Sequence, residues 1–395
     1  MTSLSRRELF MAAGGAALAS GAIESGDPVL AFIEQGIADG TYPGCAIVAS
    51  RHGRIRIERH LGTCMTLMGP RTRVTSRTMH ALYSYSKLVS ATVIVMLQEQ
   101  GVIAYDMPVR TYIPEFAGGG KDGITVRHLM THAAGIPNPP GLGMVRTPDE
   151  WRKGVEAVCA AEVEWEPGTR TAYHGISGLF VVAEAILRKT GERSWDAICR
   201  RMLFDPIGAK SLTFSAPPDS APLAFTPQPK ETPKSHFEGA GFAGHPSGGC
   251  MGTARDALKV LQLHLNRGKW GSRRLISEAA LDDMHRIQYS RQIAVARAAG
   301  REPAHETWGL GPLIRGDGPK QGGHDWFGFG SRSSPAIFGH AGIDTVIGVA
   351  DPQTQIALMF MATDSPKPPE KTVPLRNGVT DRVFEALGQV SSATT

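Results

Sequence analysis

The chain of 395 residues is 42% hydrophobic and 20% charged, an ordinary globular composition with length for one large domain or two interleaved ones. Its net charge of +5 is mild, and no basic run is interleaved with aromatics, so nucleic-acid binding has no support. No apolar stretch reaches the ~18–20 residues that span a bilayer, and the scattered Cys45, Cys64, Cys159, Cys199 and Cys250 make no C-x-x-C or zinc-like spacing, so neither a metal nor a disulfide framework is expected.

Ser5-Arg6-Arg7-Glu8 precedes a short run of small and apolar residues ending near Ala19 or Ala22. This reads as an export signal of the twin-arginine type over residues 1–22, which implies a periplasmic or secreted protein. A frayed helical tail on a cytoplasmic protein is the alternative. Next come an amphipathic helix from Asp27-Pro28 to Ala38, a strand over 44–50, a turn at Arg51–Arg54 and a second strand over 55–59. Residues 61–78 are polar and irregular, and lead into Ser84-Tyr85-Ser86-Lys87 and a long apolar run ending at Gly101.

That run has the length of a helix and is apolar nearly all round, which predicts a buried central helix with Gly101 as its C′ residue. Ser84 and Lys87, three apart, fall on one face of its first turn. A serine there meets unpaired backbone N–H groups, and a buried lysine pushed toward neutrality could take its proton. This is a nucleophile and a base in one turn. An N-capping serine beside a snorkelling lysine explains the same four residues. Among all the lysines, only Lys87 has a serine three positions before it.

Further along, Thr125 caps a helix ending at Gly135-Ile136-Pro137, and residues 149–160 form another. Glu166-Pro167-Gly168-Thr169 turns toward Tyr173-His174-Gly175 and a helix over 176–189, with one more over 194–206. Residues 213–246, rich in Pro, Ser and Lys, read as a long surface excursion, and a helix beginning at Ser247-Gly248-Gly249 runs through Leu265. After residue 306 the pattern returns to strands over 307–314, 336–340, 344–350 and 355–361, with a closing helix at 374–388. The order predicts an α+β fold: an antiparallel sheet flanked by helices and built from both chain ends, with an all-helical lobe inserted. The site is expected in the cleft between sheet edge and lobe.

Six stretches carry a resemblance: Tyr83–Lys87, Ile124–Pro137, Glu166–Thr169, Tyr173, Ser247–Gly249 and Phe338–Gly342. In this order they resemble the serine β-lactamase and penicillin-binding superfamily, closest to its family VIII carboxylesterases. The similarity covers residues 27–388, with the sheet part over 27–83 and 250–388, the helical lobe over 84–249 and a tail at 389–395. It implies Ser84 as nucleophile, and Lys87 as its base or as the group that keeps Tyr173 deprotonated. Tyr173 would protonate the leaving group and then activate water. The backbone N–H groups of Ser84 and Ile343 would form the oxyanion hole, with His340 and Gly342 lining the strand edge against substrate. Tyr173 could instead be a turn aromatic, and His340 a satisfied strand histidine.

Two departures separate the chain from lactam-hydrolysing relatives. Gly175 stands where their Y-x-N motif has an amide, and His340-Ala341-Gly342 replaces K-T-G, so a mostly neutral group replaces the lysine that attracts a carboxylate. Asp344 adds negative charge beside it. Lys189-Thr190-Gly191 spells K-T-G, but it follows a helix and reads as a C-terminal cation and C′ glycine. His174 beside Tyr173 reads as a solvent-facing side chain. Trp326 and Phe329 in a Gly-rich loop could meet an apolar ester, or could anchor that loop.

The expectation is a serine hydrolase of small carboxylic esters that works through an acyl-serine, with no cofactor and no integral membrane segment. The alternatives are a β-lactamase or D-alanyl-D-alanine carboxypeptidase, an acyltransferase, and a non-catalytic cell-wall-binding relative.

Overall fold

Asp27 starts the first helix by accepting the Val29 N–H at 2.9 Å, with Pro28 at N1 where no intrahelical donor is lost. The computed structural model describes residues 27–65, 70–142, 145, 147–215, 223–224, 245–317, 327–363 and 369–388. The leader over 1–22, the tail at 389–395, most of the 213–246 excursion, Trp326 and the Asp344 side chain lie outside the described residues.

Helix α1 (Pro28–Ala38) precedes β1 (Gly44–Arg51) and β2 (Arg54–Cys64), which are joined by a turn with positive φ at both His52 (50°) and Gly53 (72°). That is the hairpin geometry matching strand twist. β2 extends past the expected Arg59 to Cys64 and pairs with β3 (Thr72–Arg73), so the 61–78 stretch is less irregular than its polarity suggests. β4 (Met79–Ala81) leads to a 3₁₀ turn at Tyr83–Tyr85 and to α2 (Ser86–Glu99). α2 ends in a Schellman motif: Val102 N–H reaches Leu97 O at 3.0 Å, Gly101 N–H reaches Gln98 O at 2.9 Å, and Gly101 takes φ 72°.

The inserted block holds α3 (Val126–Met130), α4 (Pro148–Ala160), α5 (Ser177–Thr190) and α6 (Trp195–Cys199), which runs on into a π turn over Arg200–Phe204. Thr125 caps α3 in a reciprocal box with His128, and Thr147 caps α4 with Glu150. After β5 (Leu223–Ala224) and β6 (Met251–Gly252), α7 (Ala254–Leu265) starts on its Thr253 cap, later than Ser247. Residues 266–306, to which the pattern assigned no element, hold the β7 (Lys269–Trp270) and β8 (Arg273–Arg274) hairpin, α8 (Glu278–His285) and α9 (Ser290–Ala298).

The chain closes with β9 (Leu313–Ile314), β10 (Phe338–Gly342), β11 (Val346–Asp351), β12 (Ile356–Ala362) and α10 (Pro369–Gly388). The expected strand over 307–314 shrinks to two residues because Gly309–Pro312 form a tight turn, with Gly311 at φ 106°. A Cβ on Gly311 would stand 2.3 Å from that of Ala91, so the turn packs directly on α2.

The main sheet runs β3-β2-β1-β12-β11-β10-β9, each neighbour antiparallel, and joins the two chain ends where Cys45 pairs with Ala362. Alternate side chains divide between two cores. Cys45, Ile47, Leu358 and Phe360 pack with Ile33 of α1 and Val379 and Val383 of α10. Ala46, Val48, Met359 and Met361 pack with α2, α7 and the helical block. α2 therefore lies sandwiched, with every residue from Ser86 to Leu97 buried. The sheet supports its start closely. Tyr85 hydrogen-bonds Ala257 O at 3.0 Å, and its ring fills the space above Gly348 of β11.

Candidate active site

Two side chains, one from the same turn and one from a distant part of the chain, meet at the Ser84 hydroxyl. Lys87 Nζ donates to Ser84 Oγ at 3.1 Å, and the Tyr173 hydroxyl donates to the same oxygen at 2.8 Å. Ser84 stands in the 3₁₀ turn just before α2 rather than inside the helix, and Tyr83 takes the left-handed φ of 47°. The i, i+3 spacing still stacks Ser84 and Lys87, because a 3₁₀ turn superimposes residues three apart. Ser84 N–H lies at the start of this turn, where backbone donors have no intrahelical partner.

Lys87 is buried, and its second partner is the Ser247 carbonyl at 2.8 Å. No carboxylate hydrogen-bonds it among the described residues. Burial therefore acts without a compensating anion and lowers its pKa to about 7. Burial pushes the Tyr173 phenol well above its usual range, against the opposing effect of its hydrogen bond to Ser84. Near neutral pH the tyrosine holds its proton while a large share of the lysine has lost one.

The lysine and tyrosine are each held from behind. His245 Nδ1 accepts the Ser247 N–H at 3.2 Å, and Gly248 and Gly249 N–H both reach His245 O, which fixes the turn whose carbonyl takes Lys87. Trp308 stacks on the Tyr173 ring at 5.8 Å and 12°, with His132 wedged 4.8 Å from Tyr173 and 4.5 Å from Trp308. Trp308 Nε1 donates to the Glu306 carboxylate at 2.6 Å, and burial raises the pKa of that carboxylate. These supports were missed in the sequence. Trp308 was read as an ordinary strand residue, and nothing in its spacing marks the turn that swings it under Tyr173.

The remaining site residues fall into distinct places. His340 is 1% exposed, packs against Phe327, Trp308 and Tyr173, and bonds its own neighbour's Ala341 carbonyl through Nδ1 at 2.8 Å. Burial lowers its pKa to about 3, so it is uncharged. Gly342 lets β10 approach the serine turn, since a Cβ there would stand 2.9 Å from Leu82 O and from Tyr83 Cβ. Ile343 follows directly and is one of the few large apolar side chains left exposed among the described residues. A Cβ on Gly175 would meet only the Tyr173 ring, at 3.6 Å, so the space beside the tyrosine is open. Phe329 is buried.

His174 does not face solvent. It hydrogen-bonds the Glu164 carboxylate at 2.9 Å and stacks on Trp165. Lys189 is exposed in the last turn of α5, and Gly191 takes φ 69° as its cap, so this K-T-G triplet is a helix terminus. None of the five cysteines is joined to another. No helix of the described residues is long and apolar enough to cross a membrane.

The family described as Beta-lactamase matches residues 29–378. The chain belongs to this beta-lactamase family. Esterase EstB of Burkholderia gladioli is a relative 25% identical over 323 residues, which cover 72% of this chain and 78% of that protein. A putative D-alanyl-D-alanine carboxypeptidase of Escherichia coli O157:H7 is 20% identical over 89% of this chain and 88% of its own. The crystal structure of a family VIII carboxylesterase superposes with a TM-score of 0.68 at 23% identity, covering 92% of this chain and 98% of that one. Family membership accounts for the α+β architecture.

Proposed function

We propose that this beta-lactamase family member is a serine hydrolase of uncharged carboxylic esters. The observation that carries the reading is the meeting of Lys87 Nζ and Tyr173 OH on Ser84 Oγ, at 3.1 and 2.8 Å. Similarity to esterase EstB supports the ester class. So does the uncharged, buried imidazole of His340, where lactam-hydrolysing relatives carry a lysine, together with the missing amide at Gly175.

In this reading neutral Lys87 takes the Ser84 proton as Oγ attacks the ester carbonyl. The backbone N–H groups of Ser84 and Ile343 receive the oxyanion. Tyr173 gives its proton to the departing alkoxide, which leaves as the alcohol and leaves an acyl-serine, a phenolate and an ammonium. The phenolate then takes a proton from water as it attacks the acyl carbonyl. The Lys87 ammonium returns its proton to Ser84 Oγ as the acid departs. The sum is ester plus water giving acid plus alcohol, with every group restored.

The test is a panel of p-nitrophenyl esters, alkyl esters, a chromogenic cephalosporin and a D-alanyl-D-alanine peptide, run on the wild type and on Ser84→Ala. Ester turnover that disappears in Ser84→Ala is expected. Cephalosporin turnover as fast as ester turnover would reverse the ranking toward a β-lactamase, and retained activity in Ser84→Ala would end the reading. For the leader we infer export through the twin-arginine route from Arg6-Arg7. Fractionation of cells expressing the full chain and an Arg6→Lys, Arg7→Lys variant checks it, with the variant expected to stay in the cytoplasm.

A further inference from the structure

His132 touches neither Ser84 nor Lys87 by hydrogen bond, yet it meets both the ring of the catalytic tyrosine and the backbone that precedes it. Its backbone carbonyl accepts the Ala172 N–H at 3.1 Å, on one side of Tyr173. The imidazole itself packs against the Tyr173 ring at 4.8 Å and against Trp308 at 4.5 Å, so the phenol cannot tilt toward that side. His132 makes these contacts from a left-handed backbone, φ 56°, a conformation uncommon outside glycine.

A residue kept in a sparsely populated backbone region persists where its surroundings over-determine it. Here the surroundings are the Ala172 peptide group before Tyr173 and the rings of Tyr173 and Trp308. We propose that His132 is the positioning residue that aims the Tyr173 hydroxyl at the departing oxygen of the substrate. This rests on the reading of Tyr173 as the proton donor given above. The claim concerns direction rather than stability, because the ring contributes a wall beside the phenol while the backbone conformation opposes it. Trp308 stacks on Tyr173 and fixes the plane of its ring, and His132 fixes where the segment carrying that ring sits.

Glycine at position 132 separates the two contributions. It accepts the left-handed backbone without strain and keeps the carbonyl that receives Ala172 N–H, but it loses the ring. The readout is kcat/KM for two esters of the same acyl group, one with an alkyl alcohol and one with p-nitrophenol. An alkyl alkoxide needs a proton to leave, whereas p-nitrophenolate does not. His132→Gly is expected to lose about 100-fold on the alkyl ester and less than about 5-fold on the p-nitrophenyl ester, the scale of a misplaced general acid. Tyr173→Phe should show the same split.

Equal losses on both esters, or no loss, in His132→Gly would overturn the proposal. If His132→Gly does not fold by circular dichroism, the same ratio is read in His132→Asn, since asparagine also tolerates a left-handed backbone. Failure of the underlying reading looks different: the wild type would then hydrolyse neither ester, or Tyr173→Phe would lose no more on the alkyl ester than on the other.

Discussion

Lys87 Nζ stands 2.8 Å from the carbonyl oxygen of Ser247, so the buried amine is met by a peptide dipole where many buried lysines have a carboxylate. A dipole orients the amine without stabilising its charge as an anion would. Burial lowers the Lys87 pKa, with no anion there to offset it.

The first prediction concerns pH. In the proposed mechanism the neutral amine is the base, so activity requires the deprotonated form and is lost as pH falls through a value of about 7. The kcat/KM profile for an alkyl ester should rise tenfold per unit below that value and level off above it. A profile flat from pH 5 to 8 would remove Lys87 from the base role.

Tyr173→Phe removes the proton donor but leaves the ring stacked on Trp308. The expected loss in kcat/KM for an alkyl ester is about 10²–10⁴-fold, with fluorophosphonate labelling of Ser84 retained. Loss of labelling would instead point to a Tyr173 role in activating the serine.

Gly348→Ala probes the support under the nucleophile. A Cβ there would lie 2.1 Å from Tyr85 Cε2 and 2.5 Å from Cδ2, so the ring or the strand must shift. We expect a stability loss of about 1–3 kcal/mol in urea unfolding, with a fall in kcat as the serine turn moves. Unchanged stability and rate would mean that Tyr85 has room to turn aside.

His340→Lys is not expected to confer lactam hydrolysis on its own. His340 is fully enclosed by Phe327, Trp308 and Tyr173, so His340→Lys would bury an ammonium among aromatic rings beside Lys87. A stability loss of roughly 3 kcal/mol is expected, with no gain in cephalosporin turnover. Gly175→Asn, by contrast, enters open space and should fold with stability within about 0.5 kcal/mol of the wild type. A gain in cephalosporin turnover by His340→Lys would contradict the burial argument.

Much of this site is readable from short-range pattern. The serine and lysine spacing, the Thr125 cap and the apolar runs of β1, β11 and β12 are local signals, and they reappear as elements with ends shifted by a few residues. The false K-T-G at Lys189 was separable for the same reason, since a glycine after a helix has a local meaning. What escaped was long-range. The Ser247 carbonyl on Lys87, the Trp308 ring on Tyr173 and the left-handed turn at His132 depend on which segments come together, and no spacing within one segment encodes that. His174 shows the opposite error, because an exposed-looking neighbour of a catalytic residue had a carboxylate waiting ten positions earlier in the chain.

The sheet that joins the two chain ends has a consequence for synthesis. β1 leaves the ribosome early, but its partner β12 is among the last strands made, and Cys45 pairs with Ala362 across almost the whole described chain. The turn carrying Ser84 rests on Gly342 and Gly348, which are equally late. Contacts of such high sequence separation slow folding and leave apolar strands waiting unpaired. A nascent chain stopped before β10 carries the serine and the lysine side by side with no floor beneath them, so the site is assembled only once β10 and β11 have been made.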